Sequence, residues 1–167
     1  NSSADPMGAA IMDYHRNGSA DVLRVFSSDF EEDEIPVAEL FRKYDEMPEI
    51  ERMALDLAEG DILDVGAGSG CHSLALKSMG KNSFAIDISP LSVQAMIEQG
   101  LDARILDFYD ENFQGCFDTI LMLMNGTGII GNLDNIQIFF ARLREILNPG
   151  GYVLIDSSDL RYLFEEE

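Results

Sequence analysis

Apolar positions change their rhythm near residue 60. Beyond it they fall into short, mostly unalternated blocks at 62–65, 83–88, 103–106, 117–123 and 152–156, which is how parallel strands covered on both faces read. Between the blocks, residues 69–79, 91–99 and 135–147 carry apolar side chains at the three-to-four-residue spacing of one helix face. Gly80, Gly100 and the pair Gly150/Gly151 supply the stops. The alternation predicts an α/β fold with a doubly wound, mostly parallel sheet in a three-layer αβα arrangement.

Only residues 107–116 separate the third block from the fourth. With strands ordered 3-2-1-4-5, that link must cross roughly 20 to 25 Å. A stretch of this length reaches roughly 33 Å when extended, so a loop with at most one turn is predicted there.

Ahead of residue 60 the signals are weaker. Pro36 and Pro48 suit the first turn of a helix, where a missing N–H costs nothing, and predict helices over 37–45 and 49–58, the second ending at Gly60. Residues 1–34 are polar and weakly periodic; they read as a flexible arm with one short helix near 20–26. The expected organisation is an arm over 1–34 and one domain over 35–167 that includes the amino-terminal helices at 36–59.

Charge narrows the partners. Asp and Glu number 31 against 11 Lys and Arg, a formal net charge of −20, and such a surface repels phosphate backbones and anionic lipid. Neither nucleic acid nor a membrane is an expected partner. The two cysteines, Cys71 and Cys116, have neither metal-ligand nor disulfide-framework spacing, so no metal is expected and a reducing, cytoplasmic setting fits.

Chemistry concentrates in "ILDVGAGSGCHSLAL", residues 62–76. Gly66, Gly68 and Gly70 fall where the first strand meets the first helix, so a ligand can touch bare backbone at the carboxyl end of the sheet. Free N–H groups at the helix start would favour negative charge there. Dinucleotide enzymes require Gly or Ala at the sixth position of the motif, and Cys71 stands there instead.

With its flanks included, the sequence resembles the class I methyltransferases that use S-adenosylmethionine, a Rossmann-like family. The resemblance runs from Ile62 to Asp156 through "LDVGAGSG", "AIDIS", "ILDFYD", "FDTILMLMNG" and "LREILNPGGYVLI" in order. It implies S-adenosyl-L-methionine as the cofactor and transfer of its methyl group to an acceptor. Asp87 would accept hydrogen bonds from the ribose hydroxyls, and Ile88 would touch the base. Asp107 would take the exocyclic amine of adenine, with the Phe108 N–H on a ring nitrogen. Gly66, Ala67 and Gly68 would underlie the methionine part, with Gly70 closing the loop. Asp64 would orient that loop or meet the ammonium through water, and Met124 and Asn125 would face the sulfonium and the acceptor.

Methyl transfer needs reactants in line, and a general base only when the acceptor keeps its proton until attack. Asn125, and Tyr14 and His15 as part of a lid, are the candidates; His72 reads better as packing or capping. "MNGTGIIG" lacks the Pro-Pro-aromatic signature of enzymes that methylate nucleobase or glutamine amino groups. A small-molecule acceptor is the expectation, with a protein acceptor kept open. The chain ends soon after the fifth strand, whereas the resemblance implies two more, so an incomplete sheet is expected. The competing functions are a non-catalytic module that holds the same cofactor and, further off, a nicotinamide-dependent oxidoreductase.

Overall fold

The first helix lies earlier than the sequence predicts. In the computed structural model, which describes residues 5–18, 23–26, 32–35, 40–123 and 135–155, α1 spans Pro6–Asn17. Asp5 caps it by accepting the Gly8 N–H at 3.0 Å, Pro6 fills the first turn, and Gly18 ends it in the left-handed region at φ 71°. Of the short helix expected at 20–26, residues 20–22 lie outside the described residues, and the rest is strand β1 (Leu23–Phe26), paired antiparallel with β2 (Glu32–Ile35).

Of the helix expected at 37–45, residues 36–39 lie outside the described residues, and the remainder leads into a 3₁₀ turn at Tyr44–Glu46. Ahead of that turn the Leu40 carbonyl accepts the Ser69 hydroxyl. Helix α2 (Glu49–Leu57) comes next.

The remaining elements alternate as predicted: β3 (Ile62–Val65), α3 (Cys71–Ser78), β4 (Ser83–Asp87), α4 (Pro90–Glu98), β5 (Ala103–Ile105), β6 (Phe117–Met122), α5 (Ile136–Ile146) and β7 (Leu147–Ile155). The last five strands form one parallel sheet in the order β5-β4-β3-β6-β7, the predicted 3-2-1-4-5 arrangement. Strand β7 reaches back beyond the predicted start at 152. Leu147 pairs with Phe117 and Tyr152 with Thr119, so residues 148–151 bulge out between them. Asn148 pins the bulge by donating to Asp118 Oδ1 at 3.0 Å. The link 107–116 is a loop, as its reach required, with turns closed by Asp110 N–H to Asp107 O and Phe113 N–H to Asp110 O, both 3.0 Å.

Alternation along the strands splits the core. Ile62, Leu121 and Leu123 pack with Leu55, Ala75 and Leu76 from α2 and α3. Leu63, Val65, Ile86, Ile120 and Met122 face the other way, onto Phe108, Phe113 and the α5 residues Phe139, Leu143 and Ile146. A third cluster, Ala67, Ala85, Val93 and Met96, seats the glycine loop between β4 and α4. Helix α1 lies alongside α4 through Ile11, Met12, Leu40 and Ala95.

Candidate active site

The glycine loop leaves β3 and folds back over the end of β4. Gly66 and Ala67 both donate to the Ile86 carbonyl, at 2.9 and 3.2 Å, and Gly68 donates to Asp87 Oδ2 at 2.9 Å. Gly66, Gly68 and Gly70 have φ of 64°, 59° and 80°, a region costly for any residue with a Cβ. At Gly70 packing adds to conformation: a Cβ would stand 2.5 Å from Leu101 Cδ1 and 2.8 Å from Met96 Cγ. Gly70 N–H goes to the Ala67 carbonyl at 2.9 Å. The amides of residues 66, 67, 68 and 70 are therefore engaged inside the protein. The loop itself is shaped for close approach of a ligand.

Asp87 closes β4 and is half-buried. Its Oδ2 takes the Gly68 amide and its Oδ1 the Ser89 amide at 2.9 Å, which fixes the carboxylate plane while leaving lone pairs for a ligand. Ile88, the next residue, is 72% exposed, a large apolar side chain left bare beside this acid. Across the sheet edge, Leu106 N–H donates to the Asp87 carbonyl at 3.1 Å, which brings the start of the 107–116 loop alongside. Asp107 is exposed, and its Oδ1 accepts the Tyr109 N–H at 2.9 Å. The Phe108 ring is 3% exposed in the core against Tyr109 and Phe139, so what it can offer a ligand is main chain.

Asp64 is sealed beneath the loop, 2% exposed, and accepts the Ser73 hydroxyl at 2.8 Å. Burial pushes its carboxyl above the usual range, against the opposing pull of His72 and the Ser73 hydroxyl. It holds the start of α3 and presents no surface to a ligand. His72 is equally buried, with Nε2 2.7 Å from Glu51 Oε1 and Nδ1 3.8 Å from Cys71 Sγ. Burial alone would lower its pKa, but these contacts outweigh it and push the value up to about 10, so the ring is charged at neutral pH. Arg42 completes the group, donating to the same Glu51 oxygen at 2.9 Å.

The structure thus brings Gly66, Ala67, Gly68, Gly70, Asp87, Ile88, Asp107 and the Phe108 main chain to one end of the sheet. Helix α1 runs with α4, Asp5 meeting Ser89 at one end and Arg16 meeting Glu98 at the other. Tyr14 stacks on Phe41, the neighbour of Leu40, whose carbonyl accepts the Ser69 hydroxyl from the glycine loop, and His15 is the next residue of that helix. Met124 and Asn125 lie outside the described residues. Among the described residues no cluster of His, Cys, Asp and Glu could hold a metal, and no helix is long and apolar enough to cross a membrane.

This loop, acid and strand order match a family profile described as a methyltransferase domain over residues 63–155, more than half of the chain. The chain belongs to the class I S-adenosylmethionine-dependent methyltransferases. A crystal structure of a Bacteroides fragilis methyltransferase with bound S-adenosyl-L-homocysteine is similar to this one at 58% identity and a TM-score of 0.87, covering 92% of this chain and 64% of that one. Among sequences, a cypemycin N-terminal methyltransferase of Streptomyces is 28% identical across 59% of this chain, and a demethylmenaquinone methyltransferase of Tropheryma whipplei is 32% identical across 57%. The chain spans only 42% and 40% of those two relatives' lengths. Their names carry different acceptors.

Glu51, Arg42 and Arg142 are the polar residues that pattern reading passed over. Two of them left a signal: Glu51 precedes Ala54, Leu55 and Ala58, and Arg142 sits among Phe139, Leu143 and Ile146, each a charge at helical spacing within a buried stripe.

Proposed function

We propose that this chain holds S-adenosyl-L-methionine at the ends of β3, β4 and β5 and serves methyl transfer to a small-molecule acceptor. Asp87 carries the reading, because two main-chain amides orient its carboxylate and leave it room to accept from a vicinal diol. Bare Ile88 between Asp87 and Asp107 suits the flat face of a base, and Asp107 suits its exocyclic amine, with the Phe108 N–H on a ring nitrogen. The loop of Gly66, Ala67 and Gly68 offers close backbone approach to the amino-acid part, with Gly70 and Asp64 holding that loop in place.

When bound, the cofactor supplies a methyl group already activated on a positive sulfur. The protein's part is then alignment and exclusion of water rather than covalent chemistry. Met124 and Asn125, beyond the end of β6, are proposed for the acceptor side, where Asn125 would hydrogen-bond the incoming group. The strongly negative surface, −20 overall, supports an acceptor that is not a nucleic acid.

Calorimetric titration tests the donor site directly. S-adenosylhomocysteine should bind and NAD should not, and Asp87→Ala should weaken binding by about 1–3 kcal/mol, the range for losing a charged hydrogen-bond partner. Unchanged affinity in that variant rejects the assignment.

A further inference from the structure

Arg142 lies in the middle of α5, 7% exposed, on the side that packs beneath the sheet. A guanidinium has five N–H donors and no acceptor, so burying it requires several oxygens in fixed places. Here they come mainly from one segment. Nε donates to the Phe108 carbonyl at 2.7 Å, and Nη2 donates to the carbonyls of Asp110 and Phe113 at 2.9 and 2.7 Å. Nη1 goes to Glu145 at 2.8 Å. All three carbonyls belong to the loop joining β5 to β6, where that of Asp110 also takes the Phe113 N–H and those of Phe108 and Phe113 rely on the guanidinium.

The first of these bonds reaches the donor site through a single peptide plane. The Phe108 carbonyl held by Arg142 and the Tyr109 N–H accepted by Asp107 Oδ1 are the two ends of one amide group. A cation on the oxygen draws electron density from the amide and strengthens its N–H as a donor. It also fixes the direction in which that N–H points, and hence the plane of the exposed Asp107 carboxylate.

The geometry points to Arg142 as a positioning residue for base selection: acting through the Phe108–Tyr109 peptide, it aims Asp107 so that the site takes a donor whose base carries an exocyclic amine. This rests on the proposed role of Asp107 at the base. The residue touches no ligand itself, and its effect falls on which base is accepted rather than on the amino-acid end of the donor.

The test compares S-adenosylhomocysteine with S-inosylhomocysteine, in which a carbonyl replaces the amine, by calorimetry on the full chain. The unaltered protein should prefer the adenosyl compound roughly 10- to 100-fold, the ratio expected when a carboxylate loses its hydrogen-bond donor. In Arg142→Gln the preference should fall about tenfold. Arg142→Lys, which keeps the charge and the buried stem but cannot span three carbonyls, should give the same fall and serves if the Gln variant does not fold. Asp107→Asn should abolish the preference, and combining it with Arg142→Lys should change the ratio no further, since both act on one contact. A merely structural arginine would weaken both compounds alike and leave the ratio standing. That outcome, with Asp107→Asn still abolishing the preference, overturns the role of Arg142 alone. Equal binding of the two compounds by the unaltered protein overturns the Asp107 reading, and this proposal with it.

Discussion

The two faces of the sheet bury charge in different ways. Under the glycine loop, on the side of α2 and α3, buried His72 meets buried Glu51, half-buried Arg42 shares the same Glu51 oxygen, and Asp64 sits nearby on Ser73. On the opposite side the Arg142 guanidinium is spread over three neutral carbonyls, with the exposed Glu145 carboxylate on its remaining nitrogen. The first arrangement depends on protonation and the second does not. The proposed amino-acid end of the donor site therefore rests on a support that responds to pH, and the proposed base end on one that is indifferent to it.

The comparison breaks most forcefully at Arg142. Arg142→Met leaves the Phe108 and Phe113 carbonyls without their donor, each worth about 1–3 kcal/mol when buried, so a loss of about 2 kcal/mol or more is expected in urea unfolding. The loss should be the same at pH 6 and pH 9. Glu51→Leu should cost about 2–3 kcal/mol at pH 6, because the charged ring loses its partner and must give up its proton to remain inside. That difference should shrink by pH 9.

A smaller effect sharpens the contrast. The folded pKa of His72, about 10, lies above the ordinary value of roughly 6.5, so the folded state binds the proton more tightly than the unfolded chain does. Its contribution is complete below about pH 6.5 and fades as pH rises towards 10. The raised carboxyl of Asp64 acts in the same direction, starting from the carboxylate range upward. Thermal melts from about pH 6.5 to about 10 should fall steadily for the unaltered protein and more shallowly for His72→Gln. A parallel fall in both would remove the histidine from the account. The smallest effect belongs outside both cores: Arg16→Ala, breaking a 3.4 Å pair with Glu98 at the surface, should change stability by less than about 0.5 kcal/mol in the same melts.

Legibility in the sequence divides along similar lines. Strand β3 is readable because four consecutive buried residues stand before a glycine cluster, and the ends of α3 and α4 are readable from Gly80 and Gly100. Asp87 is readable because that pattern puts it at the end of β4. The amino-terminal region is less so. Helix α1 has its cap, first-turn proline and terminal glycine in plain view, but Ile11 and Met12 form a narrow apolar stripe that makes sense only once α4 lies beside it. At 40–45 the expected helix gives way to a 3₁₀ turn, and apolar spacing says nothing about the distant Ser69 hydroxyl that engages the Leu40 carbonyl there. Arg142 and Glu51 stand at buried positions of predicted helices, yet a partner drawn from another segment cannot be named from spacing alone.

Asp5 has a consequence for how the amino-terminal helix could be used as a gauge. Its carboxylate caps α1 through Gly8 and also takes the Ser89 hydroxyl and, at 3.4 Å, the Leu91 amide, so two helices begin from one shared rivet a short step past Asp87. Gly8 presses so close that an added methyl would collide with Ser89 Oγ at 2.2 Å, which rules out slack at this joint. A fluorescent reporter on the outer side of α1 would sit on a lever whose fulcrum adjoins the corner proposed for the sugar, turning small displacements there into a readable signal.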